Sequence, residues 1–300
     1  MSNVALVIEE RAAKVGSFLV GRLLPFVQKR AVGPFVFIDH MGPVNLTEKE
    51  NFDVPPHPHI GLSTLTYLFE GSIMHRDSLG NEIEIKPGAV NWMNAGKGVV
   101  HSERTPDYLR MKKKTLHGMQ IWVALPKELE FEEASFYHIE EKDLPSWVDD
   151  DVKYTLIAGE AFSKTSGVPV HSPLYFIEII NKTEEDKLID IGKHLYGESA
   201  LYILDGKVEV EGNIYEDRRI LINENAELCS FTLKSNSSIY IFGGKALPQK
   251  RYIHWNFVAS ERETIDRAVE DWKNQKFPKV PNETEFVPYP GKKDNVNLKK

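Results

Sequence analysis

His57-Pro58-His59 and His101-Ser102-Glu103 each place two metal-grade ligands two residues apart. In an extended strand, side chains alternate faces, so positions i and i+2 point the same way. Two neighbouring strands would therefore aim three imidazoles and one carboxylate into a common space. One such pair is ordinary on a half-exposed strand. Two in a single β-rich region predict a metal site made of His57, His59, His101 and Glu103. That donor set suits borderline divalent ions: Fe, Mn, Co, Ni, Cu or Zn. Four protein ligands on an ion that accepts six leave two positions for O2, water or a bidentate organic substrate. A closed structural zinc site would usually draw on thiolates, and the chain has a single cysteine, Cys229.

The flanking residues suit a stiff site. Pro58 cannot donate a ladder hydrogen bond, which predicts a strand edge or a bulge, and Pro55 and Pro56 stiffen the approach. Gly96 and Gly98 permit a sharp turn ahead of His101. Gly96-Lys97 is not a phosphate loop, because Asn91 stands where that loop needs its first glycine. His40, His117, His138, His171, His194 and His254 are isolated and are assigned core or surface roles. His75 is a candidate to stand behind the site, but it too is assigned an ordinary role. Arg110 with Lys112, Lys113 and Lys114, and Arg22 with Lys29 and Arg30, read as solvated basic clusters.

The elements that must position these ligands are short β segments punctuated by Gly, Pro, Asn and Asp. Among them are Ala5–Ile8, Phe35–Ile38, Thr64–Phe69, Ile73–Arg76, Val90–Met93 and Gly118–Ala124, then Lys153–Ala158, Tyr175–Ile180, Ala200–Leu204, Glu227–Thr232 and Ser238–Phe242. Strands this frequent predict closed antiparallel barrels or sandwiches. Tyr67–Ile73 echoes Tyr202–Val208, each with an acidic residue and Gly that suit a tight hairpin. The echo predicts two related lobes joined near residues 145–170, residues 1–145 carrying the metal. Shifting the ligand positions by the same offset reaches Gly192, His194, Asn236 and Ser238, so the second lobe is expected to be degenerate. Ser260-Glu261-Arg262-Glu263 is a capping-box pattern. It predicts an amphipathic helix of about four turns through Ile265, Val269, Trp272 and Lys276, stopped by Pro278. Pro281 to Lys300 reads as a strap ending in a loose tail.

A formal net charge of −7 argues against bulk affinity for nucleic acid or anionic membrane. Apolar runs such as Tyr175–Ile180 are too short to span a bilayer. The opening Met1-Ser2-Asn3-Val4 lacks the basic and apolar regions of a secretory signal. One cysteine excludes an internal disulfide and fits a reducing cytoplasm, and the apolar neighbours of Cys229 predict a buried thiol.

The blocks Phe37–Pro43, Pro56–His59, His75–Gly80 and Trp92–Glu103, with His254–Ser260 near the end, resemble the pirin family of the cupin superfamily. The resemblance implies an all-β bicupin: two antiparallel jelly-roll β-barrel lobes with a short C-terminal helix, residues 1–145 forming the metal-binding cupin and 146–300 a degenerate cupin with the helix and tail. It implies one metal, usually Fe(II), held by His57, His59, His101 and Glu103. The glutamate that general cupins carry just after the His pair is absent, Ser63 and Thr64 standing there, so Glu103 supplies the charge. Two functions follow. One is quercetin (flavonol) 2,3-dioxygenase activity with O2, Glu103 taking the 3-hydroxyl proton as general base, beside an apolar pocket drawn from Phe52, Trp92 or Trp122. The other is a non-enzymatic, iron- and redox-sensitive regulator that binds a transcription factor or a metabolic enzyme, the added charge of the oxidised ion acting strongly in a low dielectric.

Overall fold

The computed structural model describes residues 4–15, 18–223 and 229–290. Met1–Asn3, the start of the expected Glu227–Thr232 strand and the tail beyond residue 290 lie outside the described residues. Strands dominate, with one α-helix among the described residues, Arg262–Lys273. That helix is not long and apolar enough to cross a membrane.

Each lobe sets a large antiparallel sheet against a four-stranded one. In the first lobe the large sheet runs, in spatial order, Ser135–Ile139, Val90–Asn94, Leu62–Glu70, Lys114–Ala124, Phe35–Leu46, Phe18–Leu24 and Arg11–Val15. The small sheet is Asp53–His59, Val99–Arg104, Ile73–Asp77 and Glu82–Ile85. The second lobe repeats the plan, its small sheet being Lys187–Asp190, Ser230–Leu233, Lys207–Val210 and Asn213–Glu216. The chain crosses between lobes at both ends. Strand Val4–Glu9 pairs with Arg219–Asn223 of the second lobe. The hairpin Tyr252–His254 and Phe257–Ala259, followed by the helix, returns to pack on Ile60 and Val100 of the first.

The sequence echo is real, but neither copy is a hairpin. Leu62–Glu70 and Ile73–Asp77 lie in different sheets, as do Glu198–Asp205 and Lys207–Val210. Gly71 and Gly206 sit at the corners with φ of 85° and 83°. A Cβ there would lie 2.3 Å from the Thr115 carbonyl oxygen and 2.1 Å from Ser237 Oγ. The acid-Gly pair thus serves a sheet-to-sheet corner, where the backbone must both turn left-handed and pass close to another strand.

Strand parity sorts the side chains. On Leu62–Glu70, Leu65 and Tyr67 join a seam with the second lobe, whereas Leu68 faces the first lobe's apolar interior. Ile38, Trp92 and Ile121 meet Ile157, Phe176 and Phe242 across that seam. Each fully buried Leu, Ile or Phe is worth on the order of 2 kcal/mol, so the lobes share a core rather than touch. Central strands buried on both faces explain apolar runs such as Phe35–Ile38.

The helix differs from expectation at its start. Its N-cap is Glu261, with no side-chain capping bond, and it ends at Lys273. Ser260 is engaged elsewhere: its backbone N–H and hydroxyl donate to the buried Glu130 carboxylate at 2.7 and 2.9 Å, which also pairs with Arg251 at 3.2 Å. The amphipathic reading holds for Ile265, Val269 and Trp272, which are buried, while Lys276 lies beyond the helix. Ser260→Ala should therefore cost about 1–2 kcal/mol through the lost bond to a charged acceptor, read by urea denaturation. Helical circular dichroism should not change; a loss would restore the capping role.

Candidate metal centre

The small sheet of the first lobe carries the ligand pairs on adjacent strands. His57 lies directly across from His101, and Val54 across from Glu103. Pro55 and Pro56 therefore face the single residue Ser102, a bulge placed where two prolines could not have paired. Asp53–His59 is the outermost strand, so Pro58 sits on an edge as its missing N–H requires.

The ligand nitrogens of His57, His59 and His101 all lie within 4.8 Å of one another, and all three residues are buried. Their rings are 4.3–5.1 Å apart between centroids. Each Nδ1 has a partner. His57 Nδ1 is 3.0 Å from the Pro55 carbonyl, His59 Nδ1 is 3.0 Å from the Asn256 carbonyl, and His101 Nδ1 is 3.4 Å from His75 Nδ1. A carbonyl only accepts, so His57 and His59 carry their protons on Nδ1 and keep the Nε2 lone pair. His101 Nε2 is buried with no hydrogen-bond partner. An unsatisfied buried polar atom costs about 1–3 kcal/mol, which an electron-pair acceptor would relieve. These three nitrogens thus fit a borderline divalent ion.

Burial lowers the His57 pKa to about 4, against an opposing backbone hydrogen bond at Pro55. It holds His59 and His101 well below the ordinary histidine range as well, with neighbouring imidazoles adding repulsion. All three are neutral at pH 7, as ligands must be. Burial pushes Glu103 the other way, up to about 7, tempered by the neighbouring Thr66 hydroxyl. Glu103 shares its strand with His101 and is buried, but the three-imidazole cluster forms without its carboxylate.

Two cross-strand rows of the large sheet face this cluster. The nearer is Phe37, Trp122, Thr64, Met93 and Phe136, paired in register. Trp122 stacks on Phe37 at 4.0 Å and meets His59 edge-on at 5.2 Å, while Phe136 stacks on His75 at 4.4 Å. Beside it runs a polar row in the same register: Arg22, Asp39, Gln120, Thr66, Asn91 and His138. Arg22 grips Asp39 with two 2.8 Å bonds, Thr66 donates to Gln120 at 2.9 Å, and His138 Nδ1 is 2.6 Å from the Asn91 side-chain oxygen. The sheet thus sets an aromatic strip beside a polar strip whose groups are paired with one another.

The outer face of the small sheet is belted by residues 281–290. Glu283 accepts from Ser102 Oγ at 2.8 Å and from Arg104 at 2.9 and 2.6 Å. Val287 N donates to the Pro56 carbonyl at 2.8 Å, and Trp272 Nε1 donates to the Val287 carbonyl at 3.0 Å.

Several sequence readings change here. Trp122 faces the candidate centre, but Trp92 turns into the interlobe seam, one residue out of phase with Met93, and Phe52 packs in the apolar end of the barrel. Arg22 is a half-buried ion-pair partner of the buried Asp39, and Arg110 holds Asp53 with two 3.0 Å bonds at the start of a ligand strand. His75 is tied to the cluster. His40 and His117 are not isolated: their Nε2 atoms lie 2.8 Å apart, and His40 Nδ1 is 2.6 Å from Glu10, which accepts from Tyr202 at 2.7 Å. These contacts cross between strands or lobes, which leaves no local signal in the sequence. In the second lobe His194 stacks on Phe162 at 4.4 Å, and no potential metal-binding cluster forms there among the described residues. Cys229, expected buried, is half-buried.

Residues 18–123 match the Pirin family, and residues 182–278 match the Pirin C-terminal cupin domain. A pirin-like protein from Caulobacter vibrioides is 44% identical over 96% of this chain and 99% of its own length. A crystal structure of quercetin 2,3-dioxygenase from Acinetobacter baumannii is 32% identical and superposes with a TM-score of 0.85, covering 95% of each chain. The pirin YhhW from Escherichia coli, solved in complex with nickel(II), shares the fold at 18% identity and a TM-score of 0.61, over 81% of this chain and 99% of its own.

Proposed function

This chain belongs to the pirin family, and from that premise we propose that it holds one divalent transition metal, iron(II) in the cell, and oxidatively cleaves quercetin-like flavonols with O2. His57, His59 and His101 would hold the ion through Nε2, joined by Glu103. The observation that carries the reading is the set of three neutral, buried imidazoles whose Nδ1 atoms are all engaged. The ion would supply a Lewis-acidic, redox-active centre with room for a substrate oxygen and O2.

The chain's own residues do the rest. Glu103, buried on the same strand as His101, would accept the flavonol 3-hydroxyl proton as general base. Trp122 and Phe136 flank the aromatic rings, and Thr66 with Gln120 meets the hydroxyls. Burial excludes bulk water from the reacting atoms. The degenerate second lobe provides the wall behind the large sheet, and a reducing cytoplasm, the setting expected from a lone cysteine, is part of the proposal.

The test is anaerobic loading with Fe, Mn, Co, Ni or Cu in turn, then addition of quercetin and O2. Loss of flavonol absorbance with release of carbon monoxide, above the metal-free control, is the expected result. No turnover with any of these ions removes the enzyme reading.

A further inference from the structure

His57 and His59 rest on backbone carbonyls, but His101 rests on a side chain. Its Nδ1 lies 3.4 Å from His75 Nδ1, and His75 Nε2 lies 3.1 Å from Asp77 Oδ2. His75 and Asp77 are two apart on the neighbouring strand, directly across from Glu103 and His101. Asp77 is fully buried and surrounded by donors. Its Oδ1 accepts the Leu79 and Asn81 backbone N–H groups at 2.9 and 3.0 Å, and Oδ2 accepts Asn81 Nδ2 at 2.8 Å.

The hydrogen-bond logic has one solution once His101 ligates through Nε2. Its proton then sits on Nδ1 and must be accepted by His75 Nδ1. A neutral imidazole that accepts at one nitrogen donates from the other, so His75 Nε2–H points at the Asp77 carboxylate. We infer that Asp77 and His75 form an outer relay that fixes which nitrogen of His101 faces the ion and strengthens that imidazole as a donor. A carboxylate behind an imidazole raises the basicity of the ligand in front of it more than a neutral carbonyl does. His101 is thus the strong donor of the three, and His75 and Asp77 are positioning residues for it. The inference rests on the metal-binding reading above.

Asp77→Asn tests it. Oδ1 is committed to two backbone N–H groups, so the new amide must turn its NH2 toward His75. His75 then accepts at Nε2, carries its proton on Nδ1, and confronts the Nδ1–H of His101. Either that contact breaks or His101 moves its proton to Nε2, the ligating position. We expect Co(II) and Ni(II) affinity, measured by chelator competition, to fall about 10- to 100-fold. Long-range 1H–15N spectra of the metal-free protein give a readout that a general structural defect would not. The wild type should show Nδ1–H at His101 and Nε2–H at His75. Asp77→Asn should invert His75 while His57 and His59 keep Nδ1–H. Unchanged ion affinity in folded Asp77→Asn, or a wild-type His75 protonated at Nδ1, overturns the relay. If the wild type shows these tautomers yet takes up neither ion, the metal reading fails and the relay stands.

Discussion

Replacing His101 with alanine should weaken divalent-ion binding by about two to three orders of magnitude while the protein stays folded. Binding energies of about 10–16 kcal/mol for four-ligand zinc sites put each ligand at ~3 kcal/mol, and each 1.36 kcal/mol is tenfold. The fold should tolerate the loss because the cluster sits at one end of one lobe, apart from the interlobe seam and the second lobe's own core. The substitution also deletes a buried nitrogen that has no hydrogen-bond partner. Equilibrium dialysis against Co(II) or Ni(II) and a thermal melt of the metal-free protein separate the two quantities. A melt collapsing in the variant would mark the imidazole as structural, and undiminished binding would remove it from the ligand set.

Acid should destabilise the metal-free protein between pH 6.5 and 4. An unfolded chain takes protons on its histidines below pH 6.5, whereas folded His57 does so only near pH 4. The unfolded state therefore binds more protons in that window, and stability falls as pH falls. For His57 alone the full effect is about 3 kcal/mol. Glu103 opposes it. Its folded carboxyl takes a proton near pH 7 rather than 4.5, which stabilises the fold by a similar amount as pH falls across the same range. His59 and His101 are lowered by the same burial and act in the same direction as His57, and the half-buried His117, lowered to about 4, joins them, so several imidazoles stand against one carboxyl. Urea midpoints at pH 7 and pH 5 measure the net effect, and His101→Ala should flatten it. A higher midpoint at pH 5 would mean that the buried carboxyl outweighs the imidazoles.

Spacing made the His57, His59 and His101 cluster legible, because a strand's two-residue period turns sequence neighbours into face neighbours. Pro58 likewise announced its own edge position. The all-β, two-lobed plan followed from strand frequency and from the repeat at Tyr67 and Tyr202. What stayed hidden depends on pairing between distant segments. Ser260 fits a capping box until Glu130 is folded beside it. Trp92 and Trp122 look alike as pocket candidates until strand phase sends one inward and the other to the seam. His75 and Asp77 show i, i+2 spacing as clearly as the ligands do, yet only the register opposite His101 gives that spacing meaning.

The opening strand Val4–Glu9 finds its partner in Arg219–Asn223, and the closing hairpin and helix return to Ile60 and Val100. A nascent chain emerging from the ribosome must therefore hold its first strand unpaired until most of the polypeptide has been made. The ligand-bearing barrel must likewise wait for the last segment, which brings the Asn256 carbonyl to His59. Closing such long loops is slow relative to local pairing. Maturation of the centre is thus a late event in biogenesis, and prematurely terminated chains would leave the ribosome without a finished site to load.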